Sequence, residues 1–156
     1  MAYGVGLRGF ELVSKEKKKN IVPAIKPQRG TKTSAGYDFA TPIKFTVPSH
    51  GKATIWTDIK SYMQEGEVLT LHARSSIATK KGLRLSNCTG IVDSDYFNNE
   101  DNEGNIGLCF YNDSNETVTI EAGERVAQGI FLQFLEAFEG NTENKRFSGF
   151  GSTGEV

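Results

Sequence analysis

The chain has little with which to build a metal centre or a disulfide framework. It holds two cysteines, Cys88 and Cys109, two isolated histidines, His50 and His72, and no CxxC pair. A structural zinc site needs three or four clustered ligands, so no such site is expected, and the cysteines read as reduced thiols, at least one half-buried on a strand. No run approaches the ~20 apolar residues of a membrane-spanning helix. The opening MAYGVGLRGFELV lacks a basic leader, an apolar core and a small-residue cleavage site, which reads as a cytoplasmic protein without a signal peptide. Neither sign of charge is in excess: 18 Lys and Arg face 19 Asp and Glu, with a sequence pI of about 6.1. A duplex-binding protein carries a basic face, so a nucleic-acid surface is not expected here, although one small anionic ligand is compatible. Proline is confined to Pro23, Pro27, Pro42 and Pro48, so the later chain is no proline-rich linker.

What the chain does have is glycine, 17 residues in 156, above the usual ~7%. Its apolar fraction is low at 37%. A thin core with many glycines implies short strands, tight turns and backbone placed close to something. The length is that of one domain.

The dominant period is two. Ile43, Phe45 and Val47 alternate with polar residues, and so do Ala53, Ile55, Thr57 and Ile59 after a Pro-Ser-His-Gly break. Further short strands are expected at 7–13, 68–71, 90–93, 106–111 and 118–120. The stretch 125–134 is apolar on both faces, as a central buried strand would be. Helical signal is confined to 76–81, stopped by Gly82 as a left-handed cap. Many short strands between Gly, Pro, Asn and Asp turns indicate an all-β sandwich or a barrel of the jelly-roll kind. The segment 140–156 is polar and glycine-rich, too thin to add core.

Several segments carry chemistry or only structure. The tail RFSGFGSTG at 146–154 offers backbone N–H groups, hydroxyls and one guanidinium, a phosphate cradle, or else a frayed terminus. GIVDSDY at 90–96 sets two carboxylates and an aromatic at a strand end. It could orient and deprotonate a water, or be a polar turn. Arg74, Ser75 and Ser76 suit an anion or a helix cap. SAGYD at 34–38 places Asp38 after a glycine turn. KEKKK at 15–19 reads as a solvated hairpin loop. NEDNEG at 99–104 faintly suggests a calcium loop but has Phe110 where its bidentate Glu should stand.

Taken in order, SAGYD, RSS, GIVDSDY, GERVAQ at 123–128 and RFSGFGSTG resemble the five motifs of the trimeric dUTPases, over almost the whole chain. RGFELV and the long loop after Tyr96 are similar to dUTPases of Gram-positive bacteria and their phages. The resemblance implies a jelly-roll-like β-barrel over 1–139 and a C-terminal arm over 140–156, assembled as a homotrimer in the bacterial cytoplasm, host- or phage-encoded. The implied activity is Mg²⁺-assisted hydrolysis of dUTP to dUMP and pyrophosphate by water attacking the α-phosphorus. That reaction limits uracil in DNA and supplies dUMP for thymidylate synthesis. By the same resemblance Asp93 activates the water, and Tyr96 packs on deoxyribose and excludes a 2′-hydroxyl. Asn87 and the backbone of Gly90, Ile91 and Val92 hold uracil. Arg74, Ser75, Ser76 and Gln128 hold phosphates, and Asp38 supports the Mg²⁺ hydration shell through water. In the arm, Phe150 stacks on uracil, while Arg146, Gly151, Ser152 and Thr153 close over the outer phosphates as a lid reaching another subunit.

The pattern departs from the family's at four places. Lys145 stands where the family's arm arginine usually is, leaving Lys145 and Arg146 as alternatives at the γ-phosphate. Ala73 replaces a common Pro, and Asp58 a common Gly. The loop 97–105 is longer than in many members; as a solvent-facing acidic insertion it reads as a long hairpin or as a docking element for a regulatory protein. A dCTP deaminase or bifunctional relative is the alternative activity, and a nucleotide-sensing interaction protein the non-enzymatic one.

Overall fold

The computed structural model describes residues 6–147 and 149. Its strands are β1 (Gly9–Leu12), β2 (Gln28–Arg29), β3 (Tyr37–Ala40), β4 (Phe45–Val47), β5 (Lys52–Trp56) and β6 (Ile59–Tyr62). They continue as β7 (Glu67–Ala73), β8 (Leu83–Leu85), β9 (Gly90–Asp93), β10 (Gly107–Asn112), β11 (Val118–Ile120) and β12 (Arg125–Gln133). The fold is the expected all-β, jelly-roll-like barrel. A five-stranded sheet runs β2-β3-β12-β7-β9, a three-stranded one β5-β10-β8, and the pairs β1-β6 and β11-β4 complete it. Every pairing is antiparallel.

The doubly apolar stretch is the centre of the large sheet: β12 pairs with β3 on one side and β7 on the other, and Val126 and Ala127 are buried. Phe39, Ile55, Leu69 and Phe110 fill the interior. Phe10 closes one end, its ring 5.4–5.5 Å from those of Tyr37, Phe39 and Phe131. The expected helical turn exists as one wide turn at Ser76–Lys80, and Gly82 ends it at φ 68°.

The alternation through 53–59, read as one strand, is two strands broken at Asp58, which takes φ 57°. That left-handed conformation is one that glycine adopts freely and a side chain only at a cost. Asp58 is buried, and its carboxylate accepts from Lys19 N (2.8 Å), Asn20 N (2.9 Å), Asn20 Nδ2 (2.8 Å) and Asn105 Nδ2 (2.9 Å). The lysine loop is therefore not the freely solvated hairpin expected. Its backbone is tied to Asp58, and Lys17 Nζ donates to the carbonyls of Glu100 (3.1 Å) and Asp101 (2.7 Å).

The acidic insertion faces solvent with Glu100 and Asp101 but turns three of its asparagines inward. Asn99, Asn102 and Asn105 are buried, the amides of the first two satisfying the backbone of the loop that contains them and that of Asn105 pairing with Asp58. Asn99 Oδ1 accepts from Asp101 N and Asn102 N, and Asn102 Oδ1 accepts from Gly104 N. Gly104, at φ 87°, could carry no side chain, since a Cβ would lie 2.7 Å from the Tyr96 carbonyl oxygen. Composition concealed this: the carboxylates suggested a wet loop, whereas the asparagines between them point inward. Burial works against ionising Glu103, but hydrogen bonds from Ser14 and the neighbouring Lys60 hold its carboxyl below the usual range. Across the barrel Arg8 does the same for Glu67 by donating to both its oxygens.

Replacing Asp58 by glycine relieves about 1 kcal/mol of left-handed strain. It also strips the acceptor from four N–H groups, at roughly 1.5–3 kcal/mol for each bond to a charged group. D58G is therefore expected to be less stable than the parent by ~2 kcal/mol or more in urea unfolding; equal or greater stability would contradict this account.

Candidate active site

Two cavities hold the residues singled out from the sequence, and they share none of them. The larger, about 530 Å³, lies between β9, β10 and the turn at 85–90. Asn87, Gly90, Ile91, Val92, Asp93 and Tyr96 all line it. Leu85, Leu108 and Ile106 supply an apolar floor, while Ser86 Oγ and Cys109 Sγ meet 3.1 Å apart at its wall. A half-apolar slot edged by strand backbone suits a flat heterocycle.

Tyr96 ends a short helical turn, Ser94–Tyr96, and is buried with its hydroxyl facing away from solvent. It donates to the Asn105 carbonyl (2.7 Å) and accepts from Asn102 Nδ2 (2.9 Å). Burial pushes its phenol up, partly opposed by the Asn102 bond and the nearby Arg146. Asp93 and Asp95 stand half-exposed at the rim. Arg146 bridges them, its Nη2 2.6 Å from Asp93 Oδ2 and its Nε 2.7 Å from Asp95 Oδ1, with the guanidinium 5.8 Å from the Tyr96 ring centre. So the arm folds back over this cavity in the single chain. Lys145 is exposed beside it. Phe150, Gly151, Ser152 and Thr153 lie outside the described residues.

The second cavity, about 380 Å³, gathers Asp38, Arg74, Ser75, Ser76 and Gln128. The register explains the meeting: Gln128 on β12 lies opposite Asp38 on β3 and His72 on β7, two residues before Arg74. Asp38 accepts from Arg74 Nη1 and from Arg125 Nη1 (3.1 Å). Ser75 makes no side-chain capping bond to the turn it precedes, so its hydroxyl is not spent on a helix end. Two guanidiniums against one carboxylate, with serine hydroxyls and an amide, make an anion site. Arg125 was missed from the sequence. Its place inside GERVAQ was visible, but only the β3–β12 pairing brings it to Asp38. Thr31 and Ser34 also line this cavity, on the turn before β3.

These cavities lie at opposite ends of one strand. Asp93 on β9 pairs with Val68 near the start of β7, and Arg74 follows its end. At ~3.3 Å per residue, six residues separate the two by roughly 20 Å within a chain.

A protein-family model for the dUTPases matches residues 23–154. The chain belongs to the dUTPase family. It is 45% identical over 150 residues to the deoxyuridine 5′-triphosphate nucleotidohydrolase of Lactococcus lactis, covering 95% of this chain and 98% of that one. The crystal structure of dUTPase from Streptococcus mutans superposes with a TM-score of 0.73 at 41% identity, covering 84% and 99% of the two chains. A Staphylococcus bacteriophage 80alpha dUTPase with dUpNHpp superposes at 0.69 and 26% identity, covering 95% and 92%.

If the second cavity binds anions as its charges indicate, R125A should weaken inorganic pyrophosphate by about tenfold in calorimetry, the worth of one charged hydrogen bond. Unchanged affinity would remove Arg125 from the anion site.

Proposed function

We propose that this dUTPase cleaves dUTP to dUMP and pyrophosphate in sites assembled from more than one copy of the chain, the slot of one copy facing the anion cavity of another. The separation along β7 carries this reading. The β- and γ-phosphates hang directly from the α-phosphorus, so the base-activating carboxylate and the phosphate grip must lie close together. Roughly 20 Å of strand keeps them apart within one chain. A homotrimer with the arm at 140–156 as a unit distinct from the barrel at 1–139 meets that need with closed symmetry.

In such a site Asn87 and the backbone of Gly90, Ile91 and Val92 hold uracil, and the Tyr96 ring packs against deoxyribose. Asp93 positions the water and takes its proton as the new bond to the α-phosphorus forms; pyrophosphate leaves on the opposite side. Arg74, Ser75, Ser76 and Gln128 stabilise the charge moving onto the departing phosphates, where fixed donors are worth most. Arg146 exchanges Asp93 and Asp95 for the outer phosphates, while Phe150, Gly151, Ser152 and Thr153 complete the lid.

Mg²⁺ would supply further neutralisation of the triphosphate. Among the described residues no three His, Cys, Asp or Glu side chains cluster for a metal. That donor set suits an ion carried on phosphate oxygens and water, with Asp38 supporting its hydration shell. No helix among the described residues is long and apolar enough to cross a membrane, and work in the bacterial cytoplasm fits the substrate. A regulatory protein partner at 97–105 is a second reading. One phage 80alpha dUTPase structure is described in terms of control of virulence-gene transfer by a G protein-like mechanism. Here the loop's asparagines turn inward, which favours a supporting role.

Asp93→Asn keeps the side chain's size and removes the base. Its kcat should fall by about 10²–10⁴-fold, the usual worth of a general base, with dUTP affinity retained; turnover near the parent's would remove Asp93 from that role. Parallel assays with dCTP separate hydrolysis from deamination.

A further inference from the structure

The inward-facing insertion loop meets Tyr96 at its hydroxyl, the end of the ring farthest from its backbone. Tyr96 Oη both donates, to the Asn105 carbonyl at 2.7 Å, and accepts, from Asn102 Nδ2 at 2.9 Å. A phenol held by one bond can still swing; one held by a donor and an acceptor from different residues has the far end of its ring fixed in place. Each partner is held in turn. Asn102 Oδ1 accepts from Asn99 Nδ2 (2.8 Å) and Gly104 N (2.9 Å), so its NH₂ is aimed at Tyr96. Asn105 exchanges two bonds with Asp58: Asp58 N donates to Asn105 Oδ1 at 3.0 Å and Asn105 Nδ2 to Asp58 Oδ1 at 2.9 Å. All three of these partners are buried. Asn102 also touches the arm, since a Cβ on Gly149 would lie 2.7 Å from its Nδ2.

We infer that Asn102 is a positioning residue for sugar selection: it fixes the Tyr96 ring through its hydroxyl, backed by Asn105 and Asp58, and gives Gly149 of the arm its seat on the same amide. The inference rests on the reading that Tyr96 faces deoxyribose. A ring fixed in place rejects an added 2′-hydroxyl by steric contact, whereas a ring free to tilt yields to it. The loop would thus act on discrimination between dUTP and UTP more than on turnover of dUTP.

The experiment compares kcat/KM for dUTP and for UTP in the full-length parent, N102D, Y96F, N102D/Y96F and Y96A. N102D keeps an acceptor for Asn99 and Gly104 and replaces the NH₂ donor to Tyr96 by a carboxylate oxygen, so Tyr96 Oη loses the bond it accepts. Y96F removes a single oxygen and bears on the question even if N102D folds poorly. The dUTP-over-UTP ratio should fall about tenfold in N102D and in Y96F, the worth of a buried hydrogen bond. In the double variant it should fall no further than in Y96F, since removing the hydroxyl already breaks the contact with Asn102 along with that to Asn105. Equal losses on both substrates in N102D and Y96F, leaving the ratio at the parental value, would overturn the inference. Y96A separates the two levels: if its ratio collapses while those of N102D and Y96F hold, the positioning role alone fails. If Y96A also keeps the parental ratio, the sugar-facing reading of Tyr96 fails with it.

Discussion

The run of β7 between β9 and β12 sets the terms for everything else in the molecule. Its antiparallel register with β9 puts Asp93 beside Val68, and its register with β12 puts Gln128 beside His72, near Arg74. The end proposed to activate water and the end proposed to grip phosphate are thereby built on the same strand, about 20 Å apart at the rise of an extended chain. Such a strand is rigid because its hydrogen bonds are paired on both sides, so no local motion brings the two ends together. On the proposed assignment the chemistry is completed by another copy, and the low apolar fraction of a chain that exposes Leu132, Phe134, Leu135 and Phe138 around the end of β12 is consistent with burial finished between subunits.

Charge is distributed to match. In the anion cavity Asp38 holds Arg74 and Arg125 in place. At the slot, Arg146 bridges Asp93 and Asp95. Each carboxylate holds its guanidinium ordered near where the proposed phosphates would compete for it. Preorganisation of this sort spares reorganisation during the reaction. The polar knot of Asp58, Asn105 and Asn102 does the same for the Tyr96 ring.

Much of this was legible in the residues themselves. Alternation located β4 and β5, short apolar runs between turns located β10 and β11, and the doubly apolar 125–134 marked β12 as central, because burial on both faces leaves no polar stripe. The order of the five motifs carried the family. The break at Asp58 was hidden, since alternation continues through it and only the backbone turns left-handed. Strands β2, β3 and β8 were missed for being short and weakly periodic. The insertion loop misled by composition: Glu100, Asp101 and Glu103 announce solvent, while the buried amides of Asn99, Asn102 and Asn105 leave no periodic signal. Arg125 was passed over because its partner, Asp38, is 87 residues away.

The central claim is that Asp93 and Arg74 act together only across copies of the chain, and subunit mixing tests it most directly. D93N and R74A each disable one half of the site, so each alone should be nearly inactive. Co-expressed at equal levels, they form mixed assemblies in which some sites draw an intact Asp93 from one copy and an intact Arg74 from another. The account predicts recovery of about a quarter of the parent's activity in the mixture. Mixed assemblies, verified by differential tagging, that stay as inactive as the separate variants would contradict it.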